Sequence, residues 1–106
     1  MKFRLMLSNV IWIAAEQQAN HYYFYYQGNK ECDFVIQQNE QITSLIQVTW
    51  DMTNEETRKR EIEGLLEASQ ATGCTSLFIL TNDEEREITE SRRLIKVMPV
   101  WKWALL

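Results

Sequence analysis

The chain contains little glycine, proline or histidine: of its 106 residues, three are glycine, one is proline and one is histidine. A collagen-like repeat, a Gly/Ser linker and a disordered tail are excluded, the last because 45% of the residues are hydrophobic. Since His21 is the single histidine, any Ser-His or Cys-His catalytic pair would have to include it. A chain of this length holds one hydrophobic core, so we expect a single domain over residues 1–106.

Cysteine and long apolar runs are also scarce. Cys32 and Cys74 are too few for a disulfide framework, and their spacing does not match a zinc site. The longest apolar run near the N-terminus, residues 10–15, is too short to cross a bilayer and precedes no signal-peptide cleavage site. We therefore expect a cytoplasmic protein without a membrane partner.

An excess of positive charge is absent as well. Eleven lysines and arginines stand against 15 aspartates and glutamates, which gives a net charge of -4. Proteins that coat nucleic acid usually carry the opposite sign, although a local basic patch is compatible with an acidic whole. The basic clusters at 58–60 and 92–93 are interleaved with acidic residues, as on a solvated surface. The charge therefore gives no support to a nucleic-acid partner.

What the chain does contain is a clear order of helical and alternating segments. The patterns predict helices over 3–18 and 54–72, and strands over 21–26, 31–38, 42–50, 75–81 and 94–98. The first three strands are joined by short turns, which indicates an antiparallel meander, and the helix after them makes the next pairing parallel. We expect residues 82–87 to form a loop, and the last strand to be an edge strand that ends at Pro99. The fold class is therefore α/β, a mixed sheet of four to five strands with two main helices.

Alternation along the second and third strands predicts which side chains share a face of the sheet. Cys32 and Phe34 fall on one face of the second strand. Ile42 and Ile46 fall on one face of the third strand, and Gln47 falls on its other face. The spacing of Asp33 and Gln47 predicts that they lie on adjacent strands and face the same side of the sheet.

The second helix carries signals at both ends. Thr53 and Glu56 have the spacing of a capping box, which predicts Thr53 as the N-cap residue. Gly73 follows the last helical residue, which is typical of a glycine that ends a helix in the left-handed conformation.

A series of short motifs occurs in one order along nearly the whole chain. The motifs are Leu7-Ser8-Asn9, the tyrosine-rich strand, residues 31–36, Gln47, residues 55–61, and residues 95–99 with Trp101. In this order they resemble the C-terminal restriction-endonuclease-like domain, of PD-(D/E)XK type, that follows the AAA-type ATPase module in a prokaryotic family of uncharacterised ATP-binding proteins. The chain has no G-x-x-x-x-G-K-[ST] motif, so the resemblance implies the C-terminal module without its ATPase, as a short gene or an excised piece.

The resemblance also assigns a remnant of a metal-dependent nuclease centre. Asp33 matches the first carboxylate of the family motif, whereas Gln47 stands at the position of its Glu, Thr49 at that of its Lys, and Ser8 at that of a first-helix Glu. Mg²⁺ prefers anionic oxygen ligands, and neither an amide nor a hydroxyl supplies the missing charge. We therefore expect no metal cofactor, and a hydrogen bond from a neighbouring donor to the Asp33 carboxylate. Restoring Glu at 47 and Lys at 49 is expected to improve metal binding.

Two functions stay open at this point. The first is a non-catalytic nuclease-like interaction domain whose partner is an ATPase domain or a second copy of the chain, with residues 100–106 as a contact surface. The second is a weak DNA or RNA nuclease that uses Mg²⁺ or Mn²⁺ with Asp33, Gln47 and Lys59. Each of the three remnant residues can also be an ordinary polar residue of a strand, and Lys59 can simply pair with Glu55. The tyrosines over 22–26 can stack on bases or pack in the core.

Overall fold

A computed structural model describes residues 21–27, 31–38, 40–50 and 52–104. For residues 21–27 and 31 it describes the backbone alone. The helix predicted over 3–18, which includes Ser8, and the turn over 28–30 lie outside the described residues.

The described residues form a mixed α/β domain whose sheet has the order β1-β2-β3-β4-β6-β5. The elements are β1 (His21–Gln27), β2 (Glu31–Gln38), β3 (Gln41–Val48), α1 (Glu55–Thr72), β4 (Leu77–Thr81), β5 (Arg86–Glu90), β6 (Arg93–Pro99) and α2 (Val100–Ala104). Strands β1, β2 and β3 are antiparallel neighbours, β4 is parallel to both β3 and β6, and β5 is antiparallel to β6. The meander and the parallel step after it are confirmed. Within this part of the chain no helix is long and apolar enough to span a membrane.

Apolar side chains fill both faces of the sheet. One cluster joins strand residues such as Val35 and Leu45 to Ile62, Leu65 and Ala68 of α1. The second cluster lies on the other face and is formed by Phe34, Ile36, Ile46, Val48, Leu80 and Met98, against which Val100 and Trp103 of α2 pack. Because β4 lies between two parallel neighbours and is apolar on both faces, it behaves as a central strand, as its sequence predicts.

Two irregularities in the strands change the predicted faces. In β3 the pairing slips by one residue, since Ile36 is opposite Ser44 but Gln37 is opposite Ile42. Ile42 therefore packs on the α1 side rather than sharing a face with Ile46, contrary to the prediction.

The second irregularity lies in β2. Its pairing with β1 slips between Phe24 and Tyr26, which are opposite Val35 and Cys32 respectively. Three steps along β2 therefore correspond to two steps along β1, which is the mark of a bulge. Cys32 lies in the α1-side cluster while Phe34 lies in the other, so the prediction that they share a face is wrong.

Helix α1 begins one residue later than its predicted cap indicates. Asn54 is the N-cap residue, because its Oδ1 accepts a hydrogen bond from the Thr57 N–H at 2.9 Å. The prediction of Thr53 as the N-cap residue is therefore wrong. The end of the helix is as predicted: Gly73 has φ 79° and its N–H donates to the carbonyl of Ser69 at 2.8 Å.

The edge of the sheet differs from the predicted one. Strand β5 begins at Arg86, inside the segment predicted as a loop over 82–87, and it forms a hairpin with β6. The strand predicted at the edge is therefore an inner strand, between β4 and β5. Ser91 and Arg92 connect the two strands with φ values of 51° and 64°, the left-handed values of a type I′ turn. The mainly charged, exposed side chains of β5 account for the wrong prediction, since they carry no apolar face to signal a strand.

Candidate functional site around Asp33 and Gln47

Asp33 and Gln47 are brought together on the neighbouring strands β2 and β3. The Asp33 N–H donates to Gln47 Oε1 at 2.8 Å, and the Val48 N–H donates to Asp33 Oδ2 at 2.9 Å. The adjacency predicted from the sequence is confirmed, as is a hydrogen bond from a neighbouring donor to the Asp33 carboxylate. The bond that joins the two residues runs from the main chain of Asp33 to the side chain of Gln47.

The bulge in β2 explains this geometry. Regular pairing between β2 and β3 begins at Phe34, which is opposite Ile46, and the residue before it leaves the ladder. A strand N–H lies in the plane of the sheet, so the Asp33 carboxylate reaches into the gap between the strands to accept from Val48. The carboxylate takes the place that a β2 carbonyl holds in a regular ladder.

Gln47 connects the sheet to helix α1. Its side chain is buried, with 2% exposure, and its Nε2 donates to the main-chain carbonyl of Glu61 at 3.2 Å. The oxygen end and the nitrogen end of the amide therefore hold β2 and α1 respectively. A carboxylate at this position could not donate the second bond, because ionised Glu is acceptor-only.

Glu61 is a further site residue, outside the candidates that the sequence predicts. Its side chain is buried on the inner face of α1, and Arg60 Nη2 lies 3.9 Å from its Oε1. Burial raises the pKa of the Cys32 thiol to about 12, and the negative charges of Asp33 and Glu61 add to the rise. The carboxylates of Asp33 and Glu61 therefore both lie near enough to Cys32 to affect its thiol. The available signal was spacing: Glu61 stands four residues before the core residue Leu65, on the apolar stripe of the helix.

The remaining candidates are placed as follows. Thr49 is half-buried just after β3, and its N–H donates to the Leu80 carbonyl at 3.0 Å, which extends the pairing with β4. Lys59 lines a groove of about 410 Å³ between α1 and the β5–β6 turn, together with Glu55 and Glu90. That groove lies toward the β5 edge of the sheet, whereas Asp33 is on the strand next to the opposite edge. Lys59 is therefore not brought to Asp33.

The donor set around Asp33 does not suit Mg²⁺. Gln47 Oε1 is neutral and accepts the Asp33 N–H, and Asp33 Oδ2 accepts the Val48 N–H. Among the described residues no group of three or more His, Cys, Asp or Glu side chains is arranged to hold a metal ion. Mg²⁺ requires several hard oxygens in octahedral geometry, and these two residues offer one carboxylate and one engaged amide.

A second feature lies at the carboxyl ends of the parallel strands β3, β4 and β6. Trp50 follows β3 and is 56% exposed, and Trp101 follows β6 and is 60% exposed. The loop after β4 is tied to the loop after β3, because Glu84 Oε1 accepts the Met52 N–H at 2.6 Å and the Asn82 N–H donates to the Trp50 carbonyl at 3.2 Å. We call Trp50, residues 82–85 and Trp101 the carboxyl edge. Its two loops are fixed to each other by these hydrogen bonds, and it presents two exposed aromatic side chains.

Of residues 100–106, predicted as a contact surface, the described part (100–104) divides between core and carboxyl edge. Trp103 packs on the second apolar cluster, while Trp101 is exposed and Lys102 pairs with Glu85. The side chains of His21 and of the tyrosines over 22–26 are not described, so their predicted roles lie outside the described part of the chain, as does that of Ser8.

No family model matches the chain, and no curated protein or solved structure is significantly similar to it.

Proposed function

We propose that the chain is a non-catalytic, restriction-endonuclease-like interaction domain that associates with an AAA-type ATPase. The observation that carries the proposal is the use of Gln47. A buried side chain at the position that the nuclease motif reserves for a catalytic carboxylate instead holds β2 and α1 through both ends of its amide. A group engaged in this way stabilises the fold and is not available for chemistry.

The order of the elements supports the fold half of the proposal. A three-strand meander, a helix and a parallel strand follow one another in the chain, as in the core of restriction-endonuclease-like folds. The β2–β3 hairpin of that fold is present and carries Asp33, but Gln47 and Thr49 replace the charged Glu and Lys of the nuclease motif. Retention of a scaffold without its reactive groups is the pattern expected of a domain that serves binding.

The carboxyl edge supports the interaction half. Trp50 and Trp101 expose more than half of their surface at one edge of the sheet. Tryptophan is enriched among the residues that dominate binding energy at protein interfaces. In open α/β sheets the carboxyl ends of parallel strands are also where ligands bind. We assign this edge as the surface that contacts the ATPase.

The test is association with an ATPase module. The chain is co-expressed with the AAA-type ATPase encoded next to its gene, and the affinity of the purified pair is measured by calorimetry. We expect a complex, and a loss of affinity of about tenfold or more when Trp50 and Trp101 are both replaced by alanine. Leu94→Ala is the matched control, because Leu94 is 43% exposed but stands at the beginning of β6, away from the carboxyl edge.

Two outcomes would contradict the proposal. One is the absence of a complex with the ATPase, or of any adjoining ATPase gene. The other is a complex that Leu94→Ala weakens as much as the tryptophan replacements do, which would place the contact elsewhere.

A further inference from the structure

We propose that two copies of this chain pair antiparallel through β5, about a two-fold axis at Ile88, and so join their sheets into one. The inference goes beyond the proposed function and does not depend on it, since it rests on the pairing groups and charges of β5 and uses neither Asp33 nor the exposed tryptophans. Its basis is the position, the hydrogen-bonding direction and the charge sequence of a single edge strand.

Strand β5 is an edge strand within the described sheet, because β6 is its only neighbour in the strand order. Four of its five side chains are exposed, and Ile88 is half-buried against the α1-side cluster. An edge strand presents unpaired N–H and C=O groups, and these are a template for another strand.

The hairpin turn determines which of these groups point outward. Ser91 and Arg92 form a two-residue type I′ turn, so Glu90 and Arg93 exchange both of their hydrogen bonds across it. Hydrogen-bonded and non-hydrogen-bonded pairs alternate along an antiparallel ladder. The N–H and C=O groups of Glu87 and Thr89 therefore point away from β6, toward a second copy.

Charge and strand geometry select one register for that second copy. With the two-fold axis at Ile88, Glu87 is opposite Thr89 of the partner subunit, and this is the hydrogen-bonded pair that the outward groups require. Arg86 is then opposite Glu90 of the partner subunit, and the symmetry repeats this pair. Ile88 is opposite the partner's Ile88. The Arg86–Glu90 and Ile88–Ile88 pairs are both non-hydrogen-bonded pairs, in which the side chains approach each other more closely.

The neighbouring registers are disfavoured on the same grounds. A shift in one direction places Glu87 opposite the partner's Glu87, so that like charges meet directly. A shift in the other direction brings Ser91 into the ladder, although its φ of 51° belongs to a turn and not to a strand. Only the register centred on Ile88 pairs all five residues, joins Arg86 to Glu90 in both copies and opposes no like charges.

A five-residue contact is short, so the dimer is weak and its formation depends on concentration. Because two Arg–Glu pairs contribute to it, its dissociation constant rises with salt. Both properties are measured by sedimentation velocity on the full 106-residue chain at several concentrations.

The charge pairs give the decisive test. Arg86→Glu alone places Glu opposite Glu twice in a homodimer, and Glu90→Arg alone places Arg opposite Arg twice. Each variant by itself is expected to self-associate at least about tenfold more weakly than the natural chain. An equimolar mixture of the two restores both complementary pairs and therefore forms a heterodimer. Arg86 also lies 3.8 Å from Glu84, but pairs this exposed contribute little to folding, and circular dichroism verifies that each variant is folded.

A backbone variant tests the strand pairing itself. Thr89→Pro removes an N–H that points toward the second copy and leaves the ladder with β6 intact, whereas Thr89→Ala keeps that N–H. We expect the proline variant to be monomeric and the alanine variant to dimerise. The proposal is overturned by a natural chain that stays monomeric up to about 1 mM at low salt. It is equally overturned by single charge variants that dimerise as well as the natural chain, or by a mixture that does not recover the dimer.

Discussion

Gln47 of β3 donates its amide proton to the main-chain oxygen of Glu61 in α1, at 3.2 Å, while its own oxygen accepts the N–H of Asp33 at 2.8 Å. One buried side chain therefore joins two strands and a helix. A neutral amide suits this position because its oxygen accepts a hydrogen bond from β2 while its nitrogen donates one to α1.

Gln47→Glu is expected to destabilise the fold, although the sequence alone suggests that Glu at this position would improve metal binding. The carboxylate loses the bond to Glu61 and adds a buried negative charge near Asp33, which costs about 2–4 kcal/mol at about pH 7. Burial raises the pKa of the new carboxyl, so the loss is largest above that pKa and shrinks as the pH falls through it. Urea unfolding near pH 7 and near pH 4.5 measures both effects.

The matched control is Gln47→Met, which keeps the volume and adds no charge. We expect it to lower stability by a pH-independent amount. If Gln47→Glu were as stable as the natural chain near pH 7, the role assigned to the amide would be contradicted.

Asn54→Ala is expected to lower the free energy of unfolding by about 1 kcal/mol, because it removes the acceptor of the Thr57 N–H at the beginning of α1. Thr53→Ala, at the position that the sequence favours as the cap, is expected to have the smaller effect. Chemical denaturation of the two variants compares the two caps directly. The reverse order of stabilities would restore the capping box.

Arg92→Gly is expected to stabilise the protein by about 1 kcal/mol, since φ of 64° is strained for arginine and free for glycine. Lys96→Gly is the control, because it places glycine at an exposed position inside β6 and is expected to destabilise. Thermal unfolding detects both shifts. A lower melting temperature for Arg92→Gly would mean that the turn is not of type I′.

The pH dependence of stability at high pH is expected to report the Cys32 thiol. Its pKa rises from 9.0 to about 12 on folding, chiefly through burial, so between these values the folded thiol keeps a proton that the unfolded thiol loses. The folded state then binds more protons, and stability falls as the pH rises, by at most about 1.4 kcal/mol per pH unit. Cys32→Ala removes this component of the slope and Cys74→Ala retains it. Equal slopes in the two variants would contradict the burial of Cys32.

Much of the fold could be predicted because the relevant signals are local. Strands β1 to β4, helix α1 and its glycine cap follow from periodicity and turn chemistry. The bulge in β2 could not be predicted, because Phe34, Val35 and Ile36 are all apolar and buried, so the polar–apolar alternation stops where an extra residue would have to show. Strand β5 could not be predicted because its charged side chains resemble those of a loop. Its pairing with β6 becomes evident from the hairpin turn at Ser91 and Arg92.

The candidate site could be predicted in part for the same reason. The approach of Asp33 to Gln47 follows from a hairpin and is a matter of register. The bond to Glu61 depends on how α1 lies on the sheet, and no spacing in the sequence gives that distance. Glu61 could have been identified as a buried charge from its place on the apolar stripe, but its contact with Gln47 could not.

Metal-dependent cleavage of nucleic acid tests the central claim most directly, that Asp33 and Gln47 hold the fold and do not catalyse. Plasmid and single-stranded DNA are incubated with Mg²⁺ or Mn²⁺ and with either the natural chain or Asp33→Asn, an isosteric variant whose amide oxygen can still accept the Val48 N–H. We expect no cleavage above background by either protein. Cleavage by the natural chain that Asp33→Asn abolishes, with unchanged circular dichroism, would contradict the account and identify the chain as a nuclease.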